Sequence, residues 1–284
     1  MAKIRNLAAC ALNRLQETSE LELPEARIEV RTLLRHALGD VSSAWLIAHG
    51  EDAIEDDMRQ RFESLLARRM QGEPVAHILG QREFYGRDFT VTPDTLIPRP
   101  DTETLVEAAL EKIPQAKEFQ VLDLGTGSGA IAISIALERP HANVIAVDRS
   151  LPALTLAHHN GTRLQAHNLS FVESDWFSAL DHQSFDLIVS NPPYIEQDDI
   201  HLQQGDLRFE PYSALASGAD GLDDIRQISA SAHQHLQPQG WLMLEHGYNQ
   251  ASQVTEILQQ HQYQHIETIA DLAGHGRVTI GQKR

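Results

Sequence analysis

Two short segments of this 284-residue chain carry residue types at spacings that suit chemistry. The first is Val121-Leu122-Asp123-Leu124-Gly125-Thr126-Gly127-Ser128-Gly129, an apolar run entering a glycine loop and then a helical pattern. Glycines there let the backbone approach a ligand closely and aim its amides at it. The spacing is G-x-G-x-G rather than the G-x-G-x-x-G of dinucleotide folds. Asp148 ends the next apolar run, at about the 20-residue interval where a carboxylate can accept both hydroxyls of a ribose. Together they point to a nucleoside-bearing cofactor. The plainer alternative is a tight strand–helix turn followed by a solvated acid.

The second segment is Asn191-Pro192-Pro193-Tyr194, which closes the apolar run Phe185 to Ser190. A planar NH₂ group needs two hydrogen-bond acceptors fixed in its own plane. The Asn191 side-chain oxygen and the Pro192 carbonyl can supply them, because consecutive prolines stiffen the turn and remove competing N–H donors. Tyr194 offers a flat face to the same group. A Pro-Pro pair alone marks only a turn.

The first segment resembles the D-x-G-x-G-x-G motif of class I S-adenosylmethionine-dependent methyltransferases, matched by Asp123 through Gly129. That resemblance implies that Gly125, Thr126, Gly127, Ser128 and Gly129 line the methionine and ribose part of the cofactor and that Asp148 binds the ribose. It places Asp175 and Trp176 at the adenine, where an acid can accept from the amino group and an indole can pack on the ring. Alternatively, Trp176 and Phe177 are core. Asn191-Pro192-Pro193-Tyr194 is similar to the [N/D]-P-P-[Y/F] motif of methyltransferases acting on planar NH₂ nitrogens of DNA, RNA or protein glutamine.

Leu96-Ile97-Pro98-Arg99-Pro100-Asp101-Thr102-Glu103, an N-terminal helical region and Asn191 to Ile195 together resemble the HemK-type release factor glutamine methyltransferases over essentially the full chain. The family methylates the side-chain amide nitrogen of the glutamine in the Gly-Gly-Gln tip of class I peptide chain release factors. The resemblance therefore implies S-adenosyl-L-methionine as cofactor, S-adenosyl-L-homocysteine as product and a release factor as protein partner. It also puts Asn191 within reach of the cofactor's methionine end. It places Arg99 and Glu103 near the acceptor pocket without a role for either. The alternative is a DNA or RNA amino methyltransferase using the same pocket. A non-catalytic cofactor-binding scaffold would need the glycine loop but not the Asn191 clamp.

The elements that must position these residues follow from periodicity. Ile4, Leu7, Ala8, Ala11, Leu12 and Leu15 share one helical face, as do Val30, Leu33, Leu34, Ala37 and Leu38. Pro24 suits a first turn and Gly39 a C-terminal stop. Ser42-Ser43 precede the apolar run Ala44 to Ala48, and Met58, Phe62, Leu65 and Leu66 give a further stripe that fades at Gly72. These stripes predict a small helical bundle over residues 1–72, assigned to partner recognition. Residues 73–100 predict a β-hairpin and proline-rich linker. Its strands are Val75 to Leu79 and Phe89 to Val91, its turn Tyr85 to Arg87, and Asp101 caps a helix near Thr102.

Residues 101–284 predict the methyltransferase domain. The apolar runs Phe119 to Leu124, Asn143 to Val147, Leu169 to Glu173, Phe185 to Ser190 and Trp241 to Glu245 alternate with helical segments. That pattern implies an α/β, Rossmann-like, mostly parallel sheet, closed by Tyr263 to Ile269 and Gly276 to Ile280.

Composition narrows the class. The chain is 42% hydrophobic and 22% charged, ordinary for a folded protein, and no run approaches a membrane span. Met1-Ala2-Lys3-Ile4-Arg5 enters an amphipathic pattern with no signal-peptide core. The single cysteine, Cys10, forbids an intrachain disulfide and a cysteine-rich metal site. Of the net charge of −17, residues 1–70 carry −2 with ten basic side chains, and the remainder carries −15. So acidic a C-terminal part is a poor grip on phosphate backbones. The expectation is a cytoplasmic monomer that binds neither nucleic acid nor membrane.

The histidines form no recognisable metal pattern: His261 and His265 are four apart and His158-His159 adjacent, without an accompanying Glu or Cys. No metal is expected. Glu245-His246-Gly247 reads as sheet architecture.

Overall fold

A computed structural model describes residues 3–18 and 21–284; Met1 and Ala2 lie outside the described residues. The chain divides into two compact units, Met1–Gln81 and Arg82–Arg284.

The first unit is helical: α1 (Ile4–Thr18), α2 (Leu23–Ala37), α3 (Ser43–Ala48), α4 (Asp56–Met70) and α5 (Val75–Leu79). The expected stripes are its core, with Leu15, Leu33, Leu34, Phe62 and Leu66 fully buried. Pro24 sits in the first turn of α2, and Gly39 follows that helix at φ +87°. The Ser42 hydroxyl caps α3 by accepting from Trp45 N at 3.0 Å. Asp56 and Asp57 open α4 and Arg68 and Arg69 close it, each sign suited to its end of the helix dipole.

Val75 to Leu79, expected as a strand, is a helix. Ile78 joins the bundle core and Val75 and Leu79 pack against it, an i, i+3, i+4 set that one helical turn presents to a single side. Gly80, at φ +71°, then ends the turn. Periodicity in so short a run favours neither element; packing decides.

The hairpin lies one step later, as β1 (Gln81–Phe84) and β2 (Arg87–Thr90). Tyr85 and Gly86 between them both have positive φ, the turn whose twist matches that of paired strands. Glu103 Oε1 accepts from Tyr85 N at 2.9 Å, so this acid braces the turn. Phe84 and Phe89 are buried in the second unit's core.

Asp101 does not cap the next helix. A 3₁₀ turn at Pro100–Thr102 leads into α6 (Glu103–Lys112), and Thr102 N bonds to Arg99 O. Asp101 instead accepts from Arg277 at 2.9 Å. A cation across the fold outcompetes the local amides.

The remaining elements are β3 (Phe119–Leu124), α7 (Ala130–Glu138), β4 (Ala142–Asp148), α8 (Leu151–Leu164), β5 (Leu169–Glu173), β6 (Phe185–Ser190), α9 (Asp223–His235), β7 (Leu236–Glu245), α10 (Ala251–Gln260), β8 (Gln264–Ala270) and β9 (Gly276–Gln282). They build one seven-stranded sheet in the order β5-β4-β3-β6-β7-β9-β8. β3 to β7 pair in parallel, and β9 is antiparallel to both β7 and β8. β7 begins five residues earlier than Trp241 because Leu236 pairs with Phe185 ahead of a bulge. Alternate strand residues feed two apolar layers: Val121, Leu187, Val189 and Met243 toward α6 and α7, and Leu122, Ile188, Leu242 and Leu244 toward α9 and α10.

The strand order creates the site. From the edge strand β5 the chain returns across the sheet to β6, beside β3. The connections after β3 and β6 therefore leave in opposite directions and open a crevice at the strands' carboxyl ends.

Candidate active site

Strand register aligns the chemistry. Leu124 pairs with Val147 and with Ser190, and Ser190 pairs with Leu244. One residue beyond those pairs stand Asp148, Gly125, Asn191 and Glu245, a row across four adjacent strands. A cleft lies over the first three of these, with about 1060 Å³ of non-protein space including solvent at its mouth, and Glu245 is buried beside it. Gly125, Thr126, Gly127, Ser128, Asp148, Asp175, Trp176, Asn191 and Pro193 line it. Gly129, Pro192 and Tyr194 are not in its wall.

On the cofactor side the backbone does most of the shaping. Gly125, Gly127 and Gly129 have φ of +70°, +54° and +84°, which L side chains rarely adopt. Gly125 N and Thr126 N both donate to Val147 O at 2.9 Å, folding the loop back onto β4. A Cβ on Gly129 would stand 2.7 Å from Ile133 Cδ1, so this glycine seats α7, and one on Gly125 would stand 3.4 Å from the Trp176 ring.

Asp148 fixes the loop as well as facing the cleft. Its Oδ2 accepts from Gly127 N and its Oδ1 from Ser150 N, both at 2.9 Å. Lone pairs remain on both oxygens for a diol. Trp176 lines the cleft and also packs against the apolar layer under α9 and α10. Its backbone is held at φ +49°. Asp175 is exposed at the rim.

Asp123 lies beneath the loop, fully buried, with Oδ2 accepting from the Thr126 hydroxyl at 2.6 Å and Oδ1 unpartnered. Burial pushes its carboxyl up to about 7, against the Thr126 hydroxyl and Ala132 amide, which hold it down.

Several supporting residues carry no sequence signature. Asn160 on α8 is completely buried; its Nδ2 donates to Thr90 O and Ser128 O, and its Oδ1 accepts from Thr90 N. It ties the hairpin to the glycine loop. Thr95 lines the cleft with its hydroxyl buried and unpartnered. Glu210, its side chain 0% exposed, accepts from Ile97 N at 2.9 Å and pairs with Arg99. Burial raises its pKa, opposed by the Arg99 charge. Arg99 thus clasps the Leu96–Arg99 segment to the strap between β6 and α9, whose Pro211, Ser213 and Ala214 also line the cleft.

On the acceptor side, Asn191 Nδ2 donates to Thr102 Oγ1 at 3.2 Å. Oδ1, with no protein donor among the described residues, is left as an acceptor. Tyr194 is positioned through its backbone: its N bonds to Leu215 O at 3.2 Å and its O to Gln250 Nε2 at 3.0 Å. Gly221 packs so closely there that a Cβ would fall 2.3 Å from Tyr194 O. Burial, then the Glu245 charge, raises the Tyr194 phenol well above its usual range, so it stays protonated. Glu245, read from the sequence as sheet architecture, stands beside Asn191 one residue past the Ser190–Leu244 pair, and the Thr102 hydroxyl and Asn191 amide lower its pKa against burial.

Among the described residues no group of three or more His, Cys, Asp or Glu is placed to hold a metal ion, and no helix is long and apolar enough to cross a membrane. The positive-φ glycine cradle, the orphaned Thr95 hydroxyl and the anchored Asp148 fit a nucleoside-bearing cofactor.

Known proteins resemble this chain in sequence and in fold. Residues 8–80 match the family described as the PrmC N-terminal domain, and residues 101–207 match the methyltransferase small domain. A methyltransferase from Pyrococcus furiosus shares the fold at TM-score 0.52 and 19% identity, covering 78% of this chain and 98% of that one. The release factor glutamine methyltransferase of Xylella fastidiosa strain Temecula1 is 48% identical over 256 residues, covering 90% of this chain and 93% of its own. That of Pseudomonas aeruginosa is 49% identical over 268 residues, covering 94% and 96%. With such identity along nearly its whole length, the chain belongs to the release factor glutamine methyltransferase family, a family of S-adenosylmethionine-dependent enzymes.

Proposed function

We propose that this chain methylates the side-chain amide nitrogen of the glutamine in the Gly-Gly-Gln motif of class I peptide chain release factors, and that Asn191 orients that amide. S-adenosyl-L-methionine supplies an electrophilic methyl on a sulfonium and leaves as S-adenosyl-L-homocysteine. Gly125 to Gly129 would hold its methionine and ribose part, Asp148 the ribose hydroxyls, and Asp175 and Trp176 the adenine. Asn191, beside Gly125 in the strand register, stands where the two halves of the cleft meet.

An amide nitrogen is a weak nucleophile because its lone pair is delocalised into the carbonyl. Asn191 Oδ1 and the Pro192 carbonyl accept its two N–H bonds, which turns the lone pair out of their plane. Pro192 and Pro193 keep rival N–H donors away from those acceptors. Orientation of this kind supplies several kcal/mol of the barrier, about 7 at the low end for well-aligned reactants, so no strong base is needed for the attack. As the N–C bond forms and the S–C bond breaks, the nitrogen becomes cationic and strongly acidic, and it releases one N–H proton to solvent water at the cleft mouth. Tyr194, kept neutral, adds a flat apolar face once the substrate amide enters.

The observation that carries this reading is the free Asn191 Oδ1 at the cleft, its Nδ2 already committed to Thr102. The acidic second unit supports a protein substrate over nucleic acid. The action belongs in the cytoplasm, by a monomer and without a metal. Labelled methyl transfer to an intact class I release factor tests it, alongside the same factor with its motif glutamine replaced and alongside DNA and RNA. Only the intact factor should take label; label on nucleic acid alone would overturn the reading.

A further inference from the structure

Glu245 ends β7 one residue beyond the Ser190–Leu244 pair, next to Asn191. It is 1% exposed, and its Oε2 has no hydrogen-bond partner. No cation pairs with it among the described residues. Arg277 on β9, the nearest candidate, is taken by Asp101 at 2.9 Å and Asp271 at 3.4 Å. Burying a carboxyl without a partner is costly, and such groups persist where they have work to do.

We propose that Glu245 is a positioning residue for Asn191: together with Thr102 it sets which end of the Asn191 amide faces the cleft. The inference rests on the functional reading above and deepens its acceptor half. An ionised Glu245 only accepts hydrogen bonds. It then draws the Thr102 hydroxyl and the Asn191 NH₂ inward and leaves Oδ1 toward the substrate. A protonated Glu245 can instead donate to Asn191 Oδ1. The amide then turns its NH₂ outward, where it meets the substrate's own N–H donors. The ionised form is the competent one.

Both forms are accessible near neutrality. Burial raises the Glu245 carboxyl to about 7, opposed by the Thr102 hydroxyl, the Arg277 charge and the Asn191 amide, while Asp101 acts with burial. Tyr194, after β6, also faces it and stays neutral. His246, the residue after the strand, is turned away to Thr279 and Gly247.

The test uses the full chain, Glu245→Gln and Thr102→Val, both nearly isosteric. In the wild type, single-turnover methylation of a release factor should rise with pH through about 7. Glu245→Gln should lower the rate about tenfold or more and lose that inflection. Its KM for the release factor and its affinity for S-adenosylhomocysteine should stay within about twofold. Thr102→Val should lower the rate similarly. An inflection that persists in Glu245→Gln belongs to another group, such as Asp123, and overturns the proposal.

A second readout is independent of activity. The Asn191 side-chain amide resonances, identified by their loss in Asn191→Ala, should titrate near pH 7 in the wild type and not in Glu245→Gln. Resonances that titrate identically in both, or in neither, overturn the proposal even if the release factor proves not to be the substrate. Titrating resonances with no methyl transfer by the wild type would retain the Glu245–Asn191 coupling and overturn the functional reading instead.

Discussion

The two sides of the cleft are built by different means. On the cofactor side, Gly125 to Ser128 shape the wall with backbone, and Asp148 is held by the backbone amides of Gly127 and Ser150. On the acceptor side, Asn191 is held by the side chain of Thr102, from before α6, and by proposal is oriented by Glu245 at the end of β7. A backbone-built wall tolerates side-chain changes poorly at its glycines but needs few helpers. A side-chain-built wall depends on every member of its network, because each buried polar group left unpaired costs about 1–3 kcal/mol. Damage to the first should appear in cofactor affinity, damage to the second in rate.

Asn191→Ala is the most severe test of that division. The substitution is at a strand end, where truncation opens little cavity, so the protein should remain folded. Methyl transfer should fall about a hundredfold or more, because the substrate NH₂ loses its in-plane acceptor. Single-turnover assays at saturating cofactor check this; near wild-type rates would leave Asn191 as a strand terminator only.

Asp148→Ala should act on binding instead. Loss of a charged acceptor costs about 1.5–3 kcal/mol, roughly ten- to 150-fold in affinity for S-adenosylhomocysteine by calorimetry. Unchanged affinity in the folded variant would remove Asp148 from the cofactor site and erase the contrast between the two walls.

A smaller effect is expected from Asn160→Ala, which removes three hydrogen bonds from a buried site. Denaturant titration should give a stability loss of about 1–3 kcal/mol, with modest weakening of cofactor binding as the Ser128 carbonyl loosens. A loss in rate without a loss in stability would mean that Asn160 serves the acceptor wall.

Asp123 gives the mildest prediction. Its ordinary value of 3.8 rises to about 7 on folding, so the folded chain holds the proton more tightly. This group's contribution to stability therefore declines as pH rises from about 4 to 7 and is flat above. Asp123→Asn should raise the melting temperature relative to wild type at pH 8, and the difference should shrink toward pH 5. A difference independent of pH would contradict the buried titration.

The same contrast decides what was legible in the sequence. G-x-G-x-G and the acid ending β4 are local patterns, and each fixes its own backbone. β3, β5 and β6 match the apolar runs residue for residue. Asn191-Pro192-Pro193-Tyr194 was legible for the same reason. Thr102, Glu210 and Glu245 were not, because their meaning arises only when separate strands and turns converge. Glu245 looks like any polar residue ending a strand until the register sets it beside Asn191. Val75 to Leu79 failed differently: five apolar residues fit either period, and only the bundle core selects the helix.

The measurement that bears most directly on the central claim is the location of the transferred methyl. After incubation of the protein with S-adenosylmethionine and a class I release factor, fragmentation mass spectrometry should find one methyl on the side-chain amide of the Gly-Gly-Gln glutamine, absent when Asn191→Ala replaces the wild type. A methyl at any other residue, or one on that glutamine that survives Asn191→Ala at full rate, would contradict an acceptor wall built around Asn191.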